Sequence, residues 1–305
     1  MLKEPNCFII GAPKCGTTSL AAYLSEHPNI FVCDPKEPNY WSEEIYKDSV
    51  RNSIKTRVQY DQLFQRARAG ESVIVDASTT YSWSKNAIYS IEKNYTKPKY
   101  IFMLRNPVDL SYSLHQEQVN SCLELEEDFE RAWDLQTLRA AGENIPPPAR
   151  KNPLNLQYRY ISSLGQHLQR LFSLVPKERV FTVIFEDLKN NPEKIHTDIL
   201  EFLNLRKVKL DNYMVHNSRK KSVFPALSRS LMYPPVADEN VLKLKKIAIR
   251  LGLKGLRTFF IKSLEKKQTR KKLDTYFKAC LVEEFAPEVL ILENLLGKDL
   301  SHWKQ

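Results

Sequence analysis

The run Gly11-Ala12-Pro13-Lys14-Cys15-Gly16-Thr17-Thr18-Ser19 gathers groups that bind anions. Gly11 and Gly16 let the backbone turn tightly and approach a ligand. A helix opening after Gly16 presents N–H groups that lack intrahelical partners, at the positive end of its dipole. Together these features hold phosphate. Thr17, Thr18 and Ser19 add hydroxyls for phosphate oxygens and for capping. Lys14 puts a cation inside the loop. A second anion-binding group lies in Arg105-Asn106-Pro107-Val108-Asp109-Leu110-Ser111-Tyr112-Ser113. The guanidinium of Arg105 suits bidentate contact with phosphate. Pro107 suits the first turn of a helix, which places Ser113 about two turns along it. Two phosphate sites on one scaffold suit a nucleotide phosphorylated at both ends. Glu37, in Lys36-Glu37-Pro38-Asn39-Tyr40-Trp41, reads by itself as an exposed loop acid paired with Lys36, and Asp76, directly after an apolar run, as a candidate base or a structural acid.

These groups need elements to position them. Four short apolar runs read as strands: Phe8–Ile10, Val73–Val75, Tyr100–Leu104 and Val180–Phe185. Nearly continuous apolar runs fit parallel strands covered on both faces. Leu20 and Leu24 are one helical turn apart. Ile161, Leu164, Leu168, Leu171 and Phe172 repeat as a one-sided helix requires, and so do Ile195, Ile199, Phe202 and Leu203. Strands alternating with helices predict an α/β fold with a central, mostly parallel sheet flanked by helices, in a chain whose length suits one or two domains. Arg105 would stand at the C-terminal end of its strand, where open α/β sheets bind ligands.

Two stretches stand apart. Residues 142–157 hold three consecutive prolines and read as an extended loop long enough to cover a site. Residues 241–272 read as a basic amphipathic helical region, with twelve Lys and Arg, one acid and interleaved apolar residues. Such a region is either a packed helix with a solvated face or a surface for an acidic acceptor or an anionic membrane. It accounts for much of the surplus of 46 Lys and Arg over 36 Asp and Glu, a net charge of +10. That surplus predicts an anionic partner. Five cysteines without a C-x-x-C pair favour reduced thiols over a disulfide framework. The first residues lack the apolar run of a signal peptide, and no stretch has the length and apolarity of a spanning helix. A cytoplasmic protein, at most peripheral to the inner face of a membrane, is the expectation. The six histidines show no metal-ligand spacing, so no metal is expected.

The glycine loop resembles a Walker A loop in which Thr17 stands where the lysine is expected and the lysine appears at Lys14. With Asp76 as a metal-holding acid, a P-loop-like kinase or NTPase is one reading. A closer resemblance covers most of the chain. Gly11–Leu20 is similar to the 5′-phosphosulfate loop of the sulfotransferases that use PAPS (3′-phosphoadenosine 5′-phosphosulfate). Leu104–Ser113 resembles their 3′-phosphate segment. Val183–Leu188 with Pro192 and Ile199–Leu205, and Phe285–Trp303, resemble later parts of the bacterial and carbohydrate-type branch.

The resemblance runs from near the first residue to near the last and implies a single domain over 1–305, a P-loop-like strand–loop–helix and roles for individual residues. Lys14 would stabilise the leaving group. Lys14, Cys15, Gly16, Thr17, Thr18 and Ser19 would surround the 5′-phosphate, and Arg105 and Ser113 the 3′-phosphate. Arg219 and Lys220, in the basic stretch Asn217–Lys221, would close over the nucleotide. Glu37 would be the general base, in a segment similar to K-E-P-H-[FY]-[FW]. The implied reaction is metal-independent transfer of sulfonate from PAPS to a hydroxyl, less readily an amine, releasing the bisphosphate PAP. Small-molecule, saccharide and lipid-linked acceptors all fit, and nucleic acid is not an expected partner. Asn39 departs from the family's His, Asn106 from its Asp, Leu110 from a common Arg, and Ala77 from the catalytic Lys of some heparan-type enzymes. A third reading is a basic module for anionic lipid or nucleic acid, carried by 241–272.

Overall fold

The computed structural model describes residues 3–46, 54–214, 220–222, 265–267 and 273–304. The elements follow in order as β1 (Cys7–Gly11), α1 (Thr17–Ser25), β2 (Ile30–Val32), α2 (Glu43–Tyr46), α3 (Arg57–Gln62), β3 (Val73–Ala77), α4 (Ala87–Asn94), β4 (Lys99–Leu104), α5 (Pro107–Asn120), α6 (Phe129–Asp134), α7 (Gln136–Ala140), α8 (Tyr158–Ser162), α9 (Leu164–Leu174), β5 (Val180–Ile184), α10 (Phe185–Asn190), α11 (Pro192–Phe202), β6 (Lys220–Ser222), β7 (Glu265–Lys267) and α12 (Thr275–Leu296). They fall into two compact units. One comprises Met1–Leu114, Gln157–Asn217 and Asp274–Gln305; the other comprises His115–Leu156 and Ser218–Leu273.

The first unit carries the α/β architecture expected from the sequence. Its five strands run in the order β2-β3-β1-β4-β5, and every pairing is parallel. All five residues of β1 and of β3 are buried, as strands covered on both faces must be. The chain leaves β1 for one side of the sheet and returns to the other, so β1 sits where the strand order reverses. Ligands of open α/β sheets bind at such a reversal, beyond the C-terminal strand ends. The β1–β4 register shifts between Ile9 and Gly11, and Ala12 N–H then donates to the Met103 carbonyl at 2.8 Å. This irregularity re-aims the chain as it leaves the strand.

Three sequence readings change. The helix read through Ile161–Phe172 is two helices, α8 and α9, parted at Ser163. His167 of α9 holds the junction, with Nε2 2.8 Å from the Tyr160 carbonyl. Residues 142–157 are not extended: Pro147–Ala149 and Pro153–Leu156 form 3-10 turns. The fixed φ of proline favours a helical first turn, which explains both. Finally, Glu265–Lys267, inside the region read as helical over 241–272, pairs antiparallel with Lys220–Ser222. The rest of 241–272 lies outside the described residues, as does Arg219. Among the described residues no helix is long and apolar enough to cross a membrane.

In the second unit Arg139 and Glu124 form a buried bidentate pair at 2.5 and 2.8 Å. Glu124 also accepts the N–H groups of Leu125 and Glu126. Each charge is thereby matched, which burial demands.

Burial carries a pH consequence in the first unit. It lowers the pKa of His167 to about 4 from 6.5, with the Arg170 charge adding to the fall. The folded state then binds its proton less readily than the unfolded chain does. Stability is lost as pH falls from 6.5 towards 4, by about 3 kcal/mol for this one group. His196, also buried, is lowered to about 4 and acts with the same sign. Calorimetry should show Tm falling across this window. His167→Gln, which can keep a donor to the Tyr160 carbonyl, should reduce the slope. An unchanged slope in the variant refutes the assignment.

Candidate active site

The parallel sheet brings the chemistry-bearing residues to one edge. Beyond the C-terminal strand ends, in spatial order, lie the Glu37 segment after β2, Ser78–Ser82 after β3, the glycine loop after β1, Arg105 after β4 and Phe185 after β5. The glycine loop is therefore central, with Glu37 to one side and Arg105 to the other.

The loop's shape depends on its glycines. Gly11 has φ +135°, and a Cβ there would stand 2.5 Å from Ser82 Oγ and 2.7 Å from the Thr79 carbonyl oxygen. Gly16 is the N-cap of α1, left-handed at φ 84°, and brings no side-chain cap. No acid occupies the first turn of α1. The positive end of the helix is thus left for an exogenous anion. Thr17 and Ser19 are buried and Thr18 is half-buried. Cys15 is fully buried, and burial pushes its thiol up to about 12. A ligand would meet the backbone of Cys15, because its thiol faces the core.

Arg105 is fastened to this loop. Its Nη1 donates to the Lys14 carbonyl at 2.9 Å, and the guanidinium carbon lies 4.7 Å from the Phe185 ring centroid. Nε of Arg105 is buried without a hydrogen-bond partner. A buried cationic donor in that state is costly, and an anionic ligand would satisfy it. The residues present therefore fit a phosphate-bearing nucleotide. Asn106 caps the next helix, its Oδ1 accepting from Val108 N–H at 2.9 Å. Its side-chain amide donates to the Trp303 carbonyl at 3.3 Å. The departure from Asp at this position thus serves the structure. Ser113 is buried on α5, two turns beyond Pro107, as the spacing predicts. Lys220 opens β6, in the second unit.

The sequence reading missed Phe185 and Glu186. The apolar run extends the strand through Phe185, whereas β5 ends at Ile184 and α10 begins at Phe185. One oxygen of Glu186 is buried without a partner. Burial raises this carboxyl above its ordinary value and the Arg105 charge pulls it back.

Glu37 lies beyond β2 in left-handed backbone at φ 65°. Its N–H donates to the Ala77 carbonyl at 3.0 Å. Lys36 Nζ donates to one carboxylate oxygen at 2.7 Å and Thr79 Oγ1 to the other at 3.1 Å. The side chain is 38% exposed, so it is both oriented and reachable. Asn39 shapes the loop: its Nδ2 donates to the Glu37 carbonyl at 2.9 Å and its Oδ1 accepts from Thr80 Oγ1 at 2.8 Å.

Asp76 proves different from its sequence reading. It lies within β3, not after it, and is fully buried. Both carboxylate oxygens accept hydroxyls, from Tyr60 at 2.7 Å, Ser78 at 2.7 Å and Tyr81 at 2.9 Å. Burial pushes its carboxyl up to about 6 although these hydroxyls oppose the rise. A carboxylate so enclosed reaches neither an acceptor nor a metal, which corrects its reading as a second base.

Comparison with known proteins gives a family and a fold. The family described as sulfotransferase domain matches residues 4–231. Carbohydrate sulfotransferase 15 of Mus musculus is 25% identical over 252 residues, covering 66% of this chain and 44% of the relative. A bifunctional heparan sulfate N-deacetylase/N-sulfotransferase 1 of Caenorhabditis elegans is 24% identical over 253 residues, covering 80% of this chain and 28% of the relative. The chain thus spans less than half the length of these curated relatives. The crystal structure of a sulfotransferase from Alicyclobacillus acidocaldarius superposes with a TM-score of 0.73, at 22% identity and 99% coverage of both chains. That likeness is one of fold.

Proposed function

The chain belongs to the sulfotransferase domain family, and from that premise we propose that it transfers sulfonate from PAPS to a hydroxyl of a saccharide or glycolipid acceptor, releasing PAP. The observation that carries this reading is Arg105, held across the glycine loop by the Lys14 carbonyl with its Nε buried and unpartnered. It supports one bisphosphate ligand bound at both ends. The 5′-phosphate would lie on the start of α1 among Cys15, Gly16, Thr17, Thr18 and Ser19, and the 3′-phosphate between Arg105 and Ser113.

Each residue has a step. Glu37 takes the proton of the attacking hydroxyl. The new bond forms between the acceptor oxygen and sulfur while the sulfur–oxygen bond to the 5′-phosphate breaks in line. Lys14 and the N-terminus of α1 face the charge that develops on the departing phosphate. Similarity to a carbohydrate sulfotransferase and to a heparan sulfate N-deacetylase/N-sulfotransferase supports a sugar acceptor, and the second of these keeps an amine open as a further class. A P-loop kinase reading loses its metal-holding acid, because the oxygens of Asp76 are engaged with hydroxyls. Action in the cytoplasm and a one-domain organisation complete the proposal.

Thermal shift tests the donor. PAP should raise Tm by about 2 °C or more beyond AMP at equal concentration, because only PAP places a phosphate on Arg105. Equal shifts would sink the assignment. Labelled PAPS offered to desulfated glycan, glycolipid, acyl-carrier and small-alcohol acceptors then identifies the acceptor class.

A further inference from the structure

The three hydroxyls around Asp76 do more than satisfy a buried charge. Each one also accepts a hydrogen bond from the segment that carries Glu37. Ser78 Oγ accepts Asn39 N–H at 3.0 Å. Tyr81 Oη accepts Trp41 N–H at 3.4 Å. Tyr60 Oη accepts the Trp41 indole N–H at 3.1 Å. A hydroxyl has one proton. When that proton points at Asp76, the oxygen's lone pairs are left for the segment. Asp76 therefore sets the direction of three hydrogen bonds at once and presents three acceptors to three donors on residues 39–41. The residues come from distant places in the chain: Tyr60 from α3, Asp76 from β3, and Ser78 and Tyr81 from the turn beyond it. Tyr40 adds a stacked ring on Tyr60 at 4.7 Å.

We propose that Asp76 is the positioning residue of the acceptor side, orienting the hydroxyls of Tyr60, Ser78 and Tyr81 so that the Asn39–Trp41 backbone holds Glu37 where it meets the acceptor. This rests on the reading of Glu37 as the base. Asp76 itself touches no substrate. It acts through Ser78 on the residue two beyond Glu37, and through Tyr81 and Tyr60 on Trp41. Thr79, between Ser78 and Tyr81, donates to Glu37 itself, so one short turn both anchors the segment and orients the carboxylate.

Asp76→Asn separates this role from simple filling of space. The side chain keeps its size but turns one acceptor into a donor. At least one hydroxyl must then reverse, which sets its proton against a backbone or indole N–H, in a buried place where the mismatch is costly. The expected result is a fall in kcat of about 10–100-fold, with acceptor KM and PAP affinity changed by no more than about two-fold. Hydrogen exchange at the Asn39 and Trp41 amides should quicken by a similar factor. Ser78→Ala, which removes one relay and leaves the carboxylate, should lower kcat and quicken Asn39 exchange more than Trp41 exchange. The double variant should be no worse than Asp76→Asn alone, because both act in one network. If Asp76→Asn fails to fold, Ser78→Ala and Tyr81→Phe carry the test by the same two measurements. Turnover is read with labelled PAPS and the acceptor found in the screen. Normal kcat and normal exchange in these variants, while Glu37→Gln abolishes transfer, would overturn the positioning role and leave the base in place. Normal transfer in Glu37→Gln would instead overturn the base.

Discussion

Glu37→Gln should lower sulfonate transfer by about 10²–10⁴-fold, the range expected for loss of a positioned general base. The substitution is close to isosteric. Its amide oxygen can still accept from Thr79 or Lys36, so the loop around φ 65° keeps its main contacts. The hydroxyl nucleophile then has no group to receive its proton as the bond to sulfur forms. The residues proposed to bind phosphate follow β1 and β4, whereas Glu37 follows β2. PAP affinity should therefore change by no more than about two-fold. Steady-state turnover with calorimetric PAP binding measures both. Turnover within about three-fold of the parent would remove Glu37 from the chemistry.

Lys14→Ala is the second large effect, about 10²–10³-fold in kcat, the usual cost of losing one group aimed at developing charge. The fold should tolerate it. What Arg105 grips is the Lys14 carbonyl, which alanine retains. Left-handed backbone at φ 61° strains alanine as it strains lysine. PAP binding should weaken by about ten-fold, since the proposed role sets the cation against the product phosphate as well, and Tm without ligand should hold. Lys14→Arg should not restore the rate, because a planar fork does not replace a point charge on a flexible stem. Full turnover in Lys14→Ala would place leaving-group stabilisation elsewhere. Salt-dependent binding to anionic lipid that survives this substitution would instead support the basic-module reading.

Much of this scaffold was legible in the sequence because its signals are local. Ile9 and Ile10 entering a glycine loop, or Ile101–Leu104 entering Arg105-Asn106-Pro107, carry strand, turn and helix start within a dozen residues. Strand β2 was not legible. It has three residues, sits at the sheet edge and is half-buried beyond Ile30, so it lacks a continuous apolar run. Phe185 misled because an aromatic residue extends an apolar run whether it lies in a strand or begins the next helix. Asp76 misled for a deeper reason. A carboxylate after valines reads as a strand end, and only long-range pairing shows otherwise: Tyr60 lies 16 residues before it and Tyr81 five after. The anchoring of Glu37 by Thr79, 42 residues away, is likewise invisible to spacing.

The strand order bears on how the molecule is made. Cys7 of the first strand has its partners at Val75 and Lys99, and β4 gains its outer neighbour only when Val180–Ile184 arrives. At ribosomal rates of about 5–20 residues per second, the first strand waits roughly 3–14 s for its earliest partner. Until then Phe8, Ile9 and Ile10 have no sheet to enter. The side of the sheet that carries Arg105 and Phe185 is completed last, after the first strand has already paired with the third.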